Sequence, residues 1–192
     1  MRPCRLLLAL LLLPASLPLA ACDDTTGFGR ATIVTDTITI GAPTVVADTV
    51  PTALDIVYSQ GAIGGGRFPE RPREADQWDV ALRLSGGQLS LAPRGAVGVD
   101  SRRAGITEAL PNTTFERLEE APASSRFVTD RAIPLTMGSV YAVRSRSFSS
   151  FGGACFQYAK LQPLELNVAA GTARLEVATS AGFCGDTRLV ED

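Results

Sequence analysis

Between Val80 and Leu91 the chain reads VALRLSGGQLSL, and the spacing of its apolar residues leaves one local solution. Val80, Leu82 and Leu84 recur at every second position, as do Leu89 and Leu91, which is the period of a strand with one buried face. Gly86-Gly87 between them can take positive φ at both centres of a two-residue turn, so the two runs close as an antiparallel hairpin with the leucines on one side. Trp78, at the head of the stretch, continues the alternation and is expected on the core side with Val80, Leu82 and Leu84. Asp79 then falls on the opposite face, where it is free to pair with one of the many arginines.

The same period runs through most of the chain. Strands are predicted over 30–40 (RATIVTDTITI), 53–59 (ALDIVYS), 139–146 (SVYAVRSR), 156–168 (FQYAKLQPLELNV) and 172–180 (TARLEVATS), all rich in β-branched or aromatic residues. Ala169-Ala170-Gly171 joins the last two as a hairpin, and Pro163, which cannot donate to a ladder, demands an edge position or a bulge. Residues 61–73, with Gly64-Gly65-Gly66, Pro69 and Pro72, read as a long exposed loop. Residues 112–122 (NTTFERLEEAP) carry a capping residue, Phe115 and Leu118 at i, i+3 and a proline stop, which predicts about two turns of helix. The expected fold is all-β, with mostly antiparallel sheets and one short helix.

The first residues follow a different rule. Arg2 and Arg5 precede an unbroken apolar run, Leu6 to Leu13, that is too short to span a bilayer, so 1–21 read as a signal peptide. Leu19-Ala20-Ala21-Cys22 resembles the lipobox of bacterial lipoproteins, with Cys22 as the lipidated first residue of the mature chain. Acyl chains there would anchor the protein at about 0.8 kcal/mol per buried methylene, without a transmembrane helix. Asp23 resembles an inner-membrane retention signal, which leaves the choice between inner and outer membrane open. Residues 22–30 form the lipidated tether, and 31–192 a single β-rich domain.

Removing Arg2 and Arg5 with the leader leaves sixteen basic residues against twenty acidic ones. With no basic tract, nucleic acid is excluded as an expected partner. Cys4 departs with the signal peptide and Cys22 takes lipid, so Cys155 and Cys184 are left as one pair, expected to form a disulfide after export.

The order of ALDIVYSQGAI, QWDVALR followed by a glycine pair, FERLEEAP, GSVYAVRSR and FQYAKLQPLEL…AAGTARLEV is similar to that of the HmuY-like family of bacterial haem-binding lipoproteins, over most of residues 50–180. The resemblance implies an all-β fold behind a lipidated N-terminus, and haem held by paired histidines or methionines. This chain departs from that pattern, having no histidine and, after the leader, one methionine, Met137. Met137 with Tyr141 or Tyr158 is the remaining axial combination, and Met137 as a core filler is the simpler reading. Trp78 completes the candidate pocket. No cofactor is expected, with haem kept only as an option.

Enzymatic activity is not expected: there is no histidine base, no G-x-S-x-G and no metal-ligand motif. The chain reads as a cell-envelope lipoprotein, held to a membrane by its anchor, that binds a hydrophobic small molecule or an envelope protein. The alternative is a structural, partner-binding lipoprotein with no small-molecule ligand.

Overall fold

A computed structural model describes residues 32–59, 62–99, 103–150, 153–181 and 184–191. Residues 1–30, read above as signal peptide and tether and including Cys22 and Asp23, lie outside the described residues. In chain order the strands are β1 (Ile33–Gly41), β2 (Ala53–Ser59), β3 (Ala62–Arg67), β4 (Val80–Ser85), β5 (Gln88–Pro93), β6 (Gly105–Ile106), β7 (Ile133–Pro134), β8 (Tyr141–Arg144), β9 (Phe148–Ser150), β10 (Gly153–Cys155), β11 (Tyr158–Asn167) and β12 (Thr172–Ser180). One sheet has the order β1-β12-β11-β8-β6, the other β3-β2-β4-β5-β7, and β9 pairs with β10 alone. Every pairing is antiparallel.

The inward residues of both five-stranded sheets meet in one apolar cluster. Ile40, Tyr141, Leu161 and Leu175 come from the first sheet, and Leu54, Val80, Leu82 and Leu91 from the second. This is a β-sandwich, in which alternation supplies one buried face per sheet. The β4–β5 hairpin has the predicted register, with Leu82 opposite Leu91 and Leu84 opposite Leu89. Its turn glycines have φ of 57° and 77°. Pro163 sits at a break in register between β11 and β12, so the bulge is the device used.

Three expectations are corrected. Residues 112–122 form no helix; a single turn closes where the Arg117 and Leu118 N–H groups donate to Thr114 O. Beyond it the backbone finds partners in the C-terminal segment instead. Ala121 N donates to Thr187 O at 2.7 Å and Leu189 N to Glu119 O at 2.7 Å, so extended pairing replaces helical i→i−4 bonds. Helical structure among the described residues is limited to 3₁₀ turns at Arg94–Val97 and Ser124–Arg126.

Second, the glycine run is not a loop. It is the body of β3, paired to β2 with Leu54 opposite Gly66 and Asp55 opposite Gly65. Third, Trp78 leaves the face shared by Val80, Leu82 and Leu84. The regular strand starts only at Val80, and a bend at Asp79 breaks the alternation before it. Trp78 therefore packs with Ala53 and Ala81 on the far side of the sheet from the main core.

Candidate functional site

The bend that displaces Trp78 also aims Asp79 inward. Asp79 N donates to Leu54 O at 2.8 Å, which docks the residue beside β2. Its carboxylate is fully buried. Oδ2 accepts the Ile56 N–H at 2.8 Å, and Oδ1 accepts the Arg146 N–H at 2.7 Å and Arg146 Nη1 at 3.0 Å. The same Nη1 donates to Asp55 Oδ1 at 2.9 Å, and Asp55 Oδ2 takes Arg67 Nη2 at 3.3 Å. Two carboxylates thus converge on one guanidinium between the sheets.

The polar seam continues around this centre. Gln157 Oε1 accepts the Tyr58 N–H at 2.6 Å, and its own N–H donates to Ser145 Oγ at 2.9 Å. Thr179 Oγ1 lies 3.0 Å from Tyr158 O and 3.2 Å from Ile56 O. Residues of β12 and of the segments between β8 and β11 are thereby tied across the sandwich to β2 and to Asp79, just ahead of β4.

Burial pushes the Asp79 carboxyl up to about 6, against the opposing pull of the Arg146 guanidinium and with Asp55 adding to the rise. A carboxyl titrating there in an open cleft would be a candidate general acid or base. Here it faces no cleft, and both oxygens are taken by N–H donors. The arrangement acts as a clasp between sheets.

Gly64 belongs to this clasp, because a Cβ on it would collide with the Asp55 carboxylate. Gly64→Ala is expected to destabilise the fold by about 1–3 kcal/mol through overpacking. Gly153→Ala, where nothing stands within 4 Å, is the near-neutral control. Urea midpoints of the two variants check this, and equal midpoints would contradict the close approach.

The residues predicted to line a pocket go to separate places. Trp78 is 2% exposed, with its Nε1–H donating to Ala75 O at 2.9 Å and the Arg94 guanidinium 4.9 Å from the indole centre. Tyr141 lies in the main core, where its hydroxyl accepts the Thr136 N–H at 2.9 Å and donates to Pro134 O at 3.0 Å. Tyr158 packs against Phe127, ring centres 5.8 Å apart, in a different cluster. Met137 does not fill the core; it is 52% exposed, in the turn between β7 and β8. The turn closes with Gly138 at φ 74°, which leaves the preceding side chain outside.

Cys155 and Cys184 stand as a disulfide pair, Cα atoms 5.2 Å apart, joining the end of β10 to the C-terminal segment. No cluster of three or more acids and cysteines able to hold a metal occurs among the described residues. Sequence reasoning marked Asp79 as an acid able to reach an arginine but missed Asp55, Gln157 and Thr179, of which only Asp55, between Leu54 and Ile56 in β2, stands out along the chain. No family model, curated protein or solved structure matches the chain.

Proposed function

We propose that the chain is a lipid-anchored cell-envelope module of the HmuY-like kind that works by binding and not by catalysis. One observation carries this reading: among the described residues Asp55, Asp79 and Arg146 bring two carboxylates onto one guanidinium, and they are buried between the sheets with both Asp79 oxygens bonded. What faces outward is strand surface with open cavities of mixed lining, among them one beside Ile33, Phe115 and Lys160 and one beside Trp78, Ala81 and Arg83, which a recognition module can use. Porphyrin is not the ligand this reading favours, since the Tyr141 hydroxyl is engaged on both sides and Tyr158, Trp78 and Met137 are dispersed. A tether of residues 22–30, at about 3.3–3.6 Å per residue, would hold the start of the domain within roughly 32 Å of the membrane surface.

Fractionation of cells expressing the full chain tests the anchor. The unaltered protein is expected in the membrane fraction and the Cys22→Ser variant in the soluble one; the same distribution for both overturns it. Haem titration tests the ligand class, with no Soret shift expected at stoichiometric haem. A saturable shift there would return the family's porphyrin chemistry to this chain.

A further inference from the structure

On the outer face of the first sheet, a cavity of about 450 Å³ opens between β1, β11, β12, the turn at Phe115 and the C-terminal segment. Ile33, Phe115, Ala178 and Leu189 form its apolar part. Set into it is Lys160, the only lysine of the chain and 96% buried. The ammonium makes one hydrogen bond, to Leu118 O at 3.2 Å, and lies 5.0 Å from the centre of the Phe115 ring. No carboxylate of the described residues reaches it within 4.0 Å.

That arrangement is electrostatically incomplete. A buried ammonium is stable when paired and fully hydrogen-bonded, and this one has two donors beyond its single carbonyl. Burial lowers its proton affinity, while Glu116, Glu176 and Glu119 pull the other way from a distance. The other charged groups lining the cavity, Glu116 and Glu191, are carboxylates. They repel an anion in proportion to its charge, so a single negative group placed against Lys160 is the anion least opposed there.

We propose that this cavity binds a monocarboxylate with an apolar body, such as a medium-chain fatty acid, its carboxylate paired to Lys160 and its chain lying against Ile33, Phe115 and Leu189. The inference rests on the reading of the chain as a binding module and adds its site and ligand class. It does not rest on the anchor.

Decanoate and decanol are the probes, titrated into the full chain carrying Cys22→Ser, a change outside the described domain. Decanoate is expected to raise the melting temperature saturably and to bind about tenfold or more tightly than decanol, as a charge-assisted pair implies. Lys160→Met, close in length and apolar, should abolish that preference. Independently of any variant, decanoate should slow labelling of the unaltered Lys160 by an amine-reactive reagent, mapped by mass spectrometry to the single lysine peptide. Equal binding of decanoate and decanol, undiminished preference in Lys160→Met, or labelling indifferent to decanoate overturns the proposal. Any of these would leave Cys22-dependent fractionation untouched, so failure of the ligand and failure of the anchor are distinguishable.

Discussion

Arg146→Met is expected to lower stability by about 3–5 kcal/mol at neutral to alkaline pH, and to regain much of that loss on acidification. The substitution keeps most of the side-chain volume and removes the charge together with the Nη1 hydrogen bonds to Asp79 and Asp55. Asp79 and Asp55 then face each other in the interior, with Arg67, the remaining cation, bonded to Asp55 Oδ2. Two buried carboxylates so placed cannot both stay ionised without a large penalty.

The pH dependence has a definite sign. In the intact protein the Asp79 carboxyl is raised from 3.8 to about 6, so the folded state binds its proton more tightly than the unfolded state does. Its contribution to stability is therefore fully present below the unfolded value and is lost as pH rises through about 6. Without Arg146 the opposing pull disappears while the push from Asp55 stays, so the variant's transition moves above 6. Urea unfolding at about pH 8 and about pH 5 should show a wide gap between the two proteins at the higher pH and a narrow one at the lower. A gap of equal size at both values would mean that the arginine acts by packing alone.

An all-apolar replacement of the trio should not restore stability, in contrast to an isolated buried ion pair. The Asp79 carboxylate also satisfies the backbone N–H groups of Ile56 and Arg146. Any apolar residue at 79 leaves both without acceptors, at about 1–3 kcal/mol each.

What could be read from the sequence was whatever depends on neighbours along the chain. The β4–β5 hairpin, the bounds of β2 and β12 and the bulge at Pro163 each follow from local period and turn chemistry. What escaped depends on partners far away. The glycines of β3 look like a loop until Asp55 is placed beneath Gly64, and residues 112–122 look helical until the chain end at 187–189 takes their backbone groups. The same holds for the clasp: Asp79 is visibly a lone acid in an alternating strand, but seventeen arginines compete for it in the sequence. Only the bend before β4 and the path after β8 select Arg146, 67 residues away.

Trp78→Ala should destabilise the fold by about 3–4 kcal/mol, near the upper end for a residue outside the main core. The indole covers Ala53 and Ala81 on the outer face of the second sheet, with Val97 and Val99 packed against the same cluster. It also forms the platform for Arg94, which is 1% exposed and donates through Nη1 to Trp78 O at 3.2 Å. Alanine removes the platform but keeps that carbonyl, so a buried guanidinium loses the aromatic face it rests on and water gains access to it. Trp78→Phe retains most of the apolar contact and gives up the Nε1–H bond to Ala75 O, and about 1 kcal/mol is expected for it. Since Trp78 is the only tryptophan, its emission reports on this site alone and should be blue-shifted in the folded protein. If Trp78→Ala and Trp78→Phe unfold at the same urea concentration, the indole's packing contributes little, and the cluster behind β4 is held by Arg94 and the backbone instead.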